Sequence, residues 1–267
     1  MSRRFDRIQI ALPLVFVCSL VAPSLAAAHG EPGEHLEEFA EHLDDYQQEI
    51  EQLGSIIDGV VEDYAADKDA AAGVESFVES WEDVDIHLVI ETKATPLYPS
   101  IWQGIVGLRE AVANAAAASE VGAAAQRLQA ALWEGLGGVR LAAANPEFAS
   151  GGGGHHGEES AHDIIHGIEH DLEHAVEDYA NGEVAEAKDR IMQTYLNRFE
   201  GLEGDLIEQD PKLVTKLEED FNAGLPMLMD EGAPVAEVQA KLKEMMEALE
   251  QAETLLMQAE SGKSKVF

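Results

Sequence analysis

Basic side chains are scarce: 17 Lys and Arg stand against 52 Asp and Glu in 267 residues, a formal net charge of -35. Binding to DNA, RNA or an anionic membrane surface relies on Lys and Arg displacing counterions from phosphate. The composition therefore excludes those partners and leaves cations and basic proteins open. Cysteine is scarcer still. The single Cys18 lies in the apolar stretch near the N-terminus, so the rest of the chain has no thiol for a disulfide, a nucleophile, an iron–sulfur cluster or attached haem. Aromatic residues make up only 6%, and alternating apolar/polar strand patterns are missing.

One long apolar run exists, from Ile8 to Leu25, and Pro13 and Pro23 interrupt it. Arg3, Arg4 and Arg7 precede it, and Ala26-Ala27-Ala28 follows with the small-x-small pattern that a signal peptidase cuts. Residues 1–28 are thus predicted to be a cleaved signal peptide. The expected product is exported, soluble and periplasmic, with no membrane span after processing.

Ala, Glu, Leu and Gln dominate the remainder, which predicts an all-α fold. Four consecutive glycines, Gly151 to Gly154, lose too much entropy on ordering to sit in a helix, so residues 149–159 read as a Gly/His linker between bundles at 29–148 and 160–262. In the second half, Ser160 and Asp163 resemble a capping box, Asn181-Gly182 is a stop, and Asp210-Pro211 and Gly232-Ala233-Pro234 are starts. They delimit helices at about 160–180, 183–208, 211–230 and 234–260, an up-and-down four-helix bundle. The first half repeats the plan. Val60 to Ala65 matches Ala175 to Ala180, Trp81-Glu82-x-Val84-Asp85 matches Phe199-Glu200-x-Leu202-Glu203, and Val121 matches Val235, which reads as a tandem duplication.

Two sets of candidate metal ligands stand out. His162, His166, His170 and His174 recur every fourth residue, and i, i+4 imidazoles on one helix face can chelate a borderline cation such as Zn(II), Cu(II), Ni(II) or Fe(II). The core stripe of that helix is Ile165, Ile168, Leu172, Ala175 and Tyr179, so the histidines are expected to face water. The alternative is a solvated or pH-sensitive surface. The second set is Glu200 and Glu203, an i, i+3 pair suited to hard cations, with Glu203 at the edge of the core, a costly place for a carboxylate without a partner or cation. Its counterpart is Glu82 and Asp85, beside a mixed nitrogen and oxygen row, Asp83, His87 and Glu91, expected on one helix. A solvated ion-pairing face is the alternative for these. A ferritin-like di-iron enzyme is disfavoured, because the fragments Glu159-x-x-His162, Asp163-x-x-His166 and Asp171-x-x-His174 all lie on one helix. No catalytic triad or acid/base pair is legible, so the expectation is a protein without enzymatic activity.

The second half resembles the extracytoplasmic helical domain of bacterial high-affinity iron permeases of the Ftr type, the oxidase-dependent iron transporter family. The resemblance rests on Asp178 to Ala187, on Thr194-Tyr195-Leu196-Asn197-Arg198-Phe199-Glu200-Gly201-Leu202-Glu203 and on Leu217-Glu218-Glu219-Asp220-Phe221. It implies iron handling outside the cytoplasm with Glu200 and Glu203 as ligands. The membrane helices of that family and their Arg-Glu-x-x-Glu motifs are absent, so this chain alone does not conduct iron. A lesser resemblance, to imelysin, rests on Gly33-Glu34-His35-Leu36-Glu37-Glu38. Together these features lead to the expectation of an iron-binding accessory to uptake (Fe2+ or Fe3+, with Zn2+ or Cu2+ as further cargo). It would deliver cations to a permease, oxidase or cupredoxin. A cell-envelope scaffold that binds no metal is the competing class, and high-salt solubility is a competing reason for the acidity.

Overall fold

The computed structural model describes residues 39–145 and 160–263; the expected signal peptide and linker lie outside them. Among the described residues the chain is all-α, with no strand, and no helix is long and apolar enough to cross a membrane. The first half contains α1 (Leu43–Ala65), α2 (Ala70–Asp83), α3 (Asp85–Lys93), α4 (Tyr98–Ala113) and α5 (Ala118–Ala144). The second contains α6 (Ala161–Ala180), α7 (Val184–Thr194), α8 (Glu200–Ile207), α9 (Pro211–Glu219), α10 (Leu225–Asp230) and α11 (Val235–Lys263). Two π-helical turns interrupt these rods, Tyr195–Phe199 between α7 and α8 and Asp220–Gly224 between α9 and α10.

Local chemistry sets the ends. Ser160 Oγ accepts from Asp163 N at 3.2 Å and donates to Asp163 Oδ2 at 2.6 Å, starting α6. Asp210 Oδ1 accepts from Leu213 N at 3.2 Å, and Pro211 fills a first-turn position where no N–H is required. Gly182 and Gly232 close α6 and α10 at φ values of 86° and 69°, where a Cβ would be strained. Tyr64 Oη donates to Ala116 O at 2.5 Å and Tyr179 Oη to Ala233 O at 2.6 Å, so each tyrosine ties one helix to the loop before the last helix of its half.

Apolar side chains of the two halves form one continuous buried cluster that includes Trp81, Ile90 and Trp102 from the first and Ile168, Phe199 and Phe221 from the second. The main crossing point is α4 against the Asp220–Gly224 turn. Pro226 explains the turn's position. It offers no N–H to the carbonyl four residues earlier, Asn222 O, which instead accepts from Gln103 Nε2 of α4 at 3.4 Å. Arg109 Nη1 also reaches across to Glu219 Oε2 at 2.5 Å.

Candidate metal centre

Where the two halves meet, five glutamates from four helices converge: Glu82 from α2, Glu91 from α3, Glu200 and Glu203 from α8, and Glu218 from α9. His87 of α3 joins them. Glu91, Glu203, Glu218 and His87 are buried, while Glu82 and Glu200 are partly exposed. Ligand atoms of Glu82, His87 and Glu218 lie within 4.8 Å of one another, and so do those of Glu91, Glu203 and Glu218.

Aromatic rings wall the cluster. Trp81 stacks on His87 with centroids 4.6 Å apart, His87 on Tyr98 at 5.5 Å, and Tyr98 on Tyr195 at 6.2 Å. His87 Nε2 lies 2.6 Å from Tyr98 Oη, which donates to Glu218 Oε2 at 3.2 Å. With its proton directed to Glu218, Tyr98 Oη accepts from His87 Nε2–H, which leaves the lone pair on Nδ1. Tyr195 Oη donates to Glu91 Oε1.

Removal from water dominates the electrostatics. Burial pushes the Glu82 carboxyl up to about 7 and the Glu91 carboxyl up to about 8, with the Glu200 and Glu82 charges adding to the effect on Glu91. Burial likewise raises Glu203 and Glu218 well above the usual carboxylate range, and their acidic neighbours push the same way. Burial lowers the His87 imidazole to about 3, leaving it neutral and able to offer a lone pair to a metal. Among the described residues, no Lys or Arg forms an ion pair with any of the five glutamates. The nearby cations are committed elsewhere: Lys216 and Lys241 both bind Asp220, and Arg198 binds Asp171. Glu82 Oε1, Glu200 Oε2 and Glu203 Oε1 are buried with no hydrogen-bond partner. Buried anions without counter-charge or donors are costly, and a cation bound by oxygen and imidazole supplies both the charge and the missing contacts.

The π-helical turns help explain the convergence. An i→i+5 turn takes in one extra residue and rotates the downstream residues by about 100° relative to an uninterrupted α-helix. Glu203, expected at the edge of the core, is 7% exposed after the turn at Tyr195–Phe199. Asp83, His87 and Glu91 do not form the expected row on one helix. Val84 is extended (φ -93°, ψ 143°), and Glu49 Oε2 accepts from Ile86 N at 2.9 Å to start α3. Asp83 is left exposed on α2. Asp85, expected to ligate with Glu82, opens α3 just after this break, beside Glu49 and Tyr46, and belongs to neither triad. Glu200 belongs to neither triad as well, but its charge acts on Glu91 and Glu203. Sequence reasoning missed Glu218, Tyr98 and, as a wall of the site, Tyr195. Glu218 sits within one of the resemblance blocks, yet between Leu217 and two further acids its spacing carries no signal.

His162, His166, His170 and His174 stay outside the centre, exposed on α6, while the expected core stripe is buried. His162 Nδ1 lies 2.6 Å from Glu253 Oε1 of α11, His166 Nδ1 3.6 Å from Glu169, and His174 Nδ1 3.3 Å from Glu177. His170 Nε2 and His174 Nε2 are 3.3 Å apart, close enough to share one cation after small adjustment. Replacing all four with Ala is expected to reduce Zn(II) and Cu(II) uptake in calorimetric titration and to leave the far-UV spectrum and melting temperature near those of the parent. An unchanged isotherm would make them solvated surface residues.

No protein-family model matches the chain, and comparison with curated proteins and with solved structures finds no match. The fold and the site therefore define a class by geometry alone: a helical protein with a buried carboxylate–imidazole cluster.

Proposed function

We propose that this protein is a periplasmic binder of transition cations, iron foremost, that serves high-affinity uptake by holding the ion for a membrane permease or a periplasmic oxidase. The observation that carries this reading is the set of converging carboxylates with buried, partnerless oxygens and, among the described residues, no Lys or Arg ion pair. The ligand set is chiefly carboxylate with one neutral imidazole, a mixture that suits Fe(II), Fe(III) and Mn(II) better than the thiolate-preferring ions. Tyr98 and Tyr195 position His87, Glu218 and Glu91 through their hydrogen bonds, and Trp81 packs on the imidazole face. The acidic surface raises the local concentration of cations, and the His162–His174 row offers a first, exposed point of capture. The leader sequence and the resemblance to the Ftr-type domain support export and iron traffic.

The test is anaerobic equilibrium dialysis against Fe(II). The parent protein is expected to take up iron saturably at physiological salt, and Glu203→Gln to lose at least tenfold in affinity with unchanged helicity. Equal uptake by parent and variant would remove the buried cluster from iron binding.

A further inference from the structure

We propose that the centre is dinuclear, with the Glu218 carboxylate bridging two cations; this rests on the metal-binding reading above and specifies its architecture. One cation is held by Glu82, His87 and Glu218, the other by Glu91, Glu203 and Glu218. These triads have only Glu218 in common, and among the described residues no larger set has its ligand atoms within the same 4.8 Å of one another.

Size decides against a single ion. Bonds of about 2.0–2.2 Å from a first-row cation to oxygen or nitrogen place opposite ligands no more than about 4.4 Å apart, and the ligand atoms of the two triads taken together do not fall within 4.8 Å of one another, so in this side-chain arrangement one ion does not reach both triads. A carboxylate has two oxygens and can serve one ion with each, at the separation of about 3.5–4 Å found in two-metal sites. Charge is consistent with two ions: the triads contain four carboxylates, Glu82, Glu91, Glu203 and Glu218, whose full ionisation two divalent cations balance, and among the described residues no Lys or Arg forms an ion pair with them. Glu203, only 7% exposed, also keeps Oε1 buried without any hydrogen-bond partner, an acceptor that a cation would meet.

The two positions differ in chemistry. The first includes a neutral imidazole beside Tyr98, and the second offers only oxygen beside Tyr195. The imidazole site thus suits a divalent borderline ion, and the oxygen site suits a harder one.

The experiment titrates the chelator-treated, full-length protein with Mn(II), reading bound equivalents by dialysis and elemental analysis and the electronic state by electron paramagnetic resonance. Two equivalents are expected, with the isolated six-line signal of the first replaced by an exchange-coupled spectrum as the second binds. Glu218→Gln is expected to abolish the coupling. Glu203→Gln keeps the first triad whole, so it should bind one equivalent with an uncoupled signal, which keeps the test decisive if the Glu218 variant fails to fold. One equivalent with an uncoupled spectrum in the parent overturns the dinuclear assignment and leaves the cation-binding function standing. No saturable uptake at all overturns both.

Discussion

Freed of metal, the protein should lose stability as pH rises from 6.5 to 8.5. Glu82 and Glu91 have folded-state values of about 7 and 8, above those of the unfolded chain, so their contribution is fully present below the usual carboxylate range and is lost as pH rises through those values. For Glu91 the loss over this interval is about 2 kcal/mol, and Glu203 and Glu218 shift in the same direction. His87 acts oppositely. Its folded value is depressed, so it costs stability as pH falls below the unfolded imidazole value, and starting at 6.5 largely removes its influence. Running the same series on the four-Ala variant removes the α6 histidines from the comparison. Differential scanning calorimetry in chelator should show the melting temperature fall by about 4–8 °C for 2 kcal/mol. Saturating Mn(II) or Fe(II) at 1,000 times its dissociation constant should restore about 4 kcal/mol. A melting temperature flat across this range, with no response to metal, would mean that the glutamates find their compensation inside the protein.

The second large effect has a counterintuitive sign: Glu203→Gln should make the metal-free protein more stable at pH 8, not less. Gln keeps the shape and can still meet Tyr195, but it carries no charge into a site shared with Glu91, Glu200 and Glu82. The gain scales with how far burial raises the Glu203 carboxyl, at about 1.4 kcal/mol per pH unit. The same variant should lose the part of the metal-induced rise in melting temperature that the Glu91–Glu203–Glu218 triad supplies. As pH falls and protonation removes the Glu203 charge from the parent, the two proteins should come to melt alike. A structural role for Glu203 would give the reverse pattern, a variant destabilised at every pH. That pattern would show that the carboxylate supports the fold rather than holding a cation.

Much of this architecture is legible in the sequence, because helix caps are local. Ser160 with Asp163, Asp210 with Pro211, and Gly182 announce helix boundaries through chemistry that needs only a few neighbouring residues. The outward histidines and the inward Ile165–Leu172 stripe follow from a period of 3.6. Glu82, His87, Glu91, Glu200 and Glu203 were identifiable as candidates by residue type and recurrence. Their meeting place was not. It depends on two π-helical turns, on the break at Val84 and on contact between the halves, all of which are decided by tertiary packing. Glu218 shows the limit most sharply: as one of three consecutive acids it is indistinguishable from Glu219, yet Glu218 is buried in the centre while Glu219 turns to Arg109. The π-turn that begins at the next acid, Asp220, has its cause in Pro226, six residues further along.

Anomalous diffraction at the manganese or iron edge, from crystals of the full chain soaked in that metal, tests the central claim most directly. The account expects strong peaks bounded by Glu82, His87, Glu91, Glu203 and Glu218, about 2.0–2.6 Å from their oxygens and the imidazole nitrogen. Density confined to the α6 histidines, or no anomalous density within the protein, would contradict it.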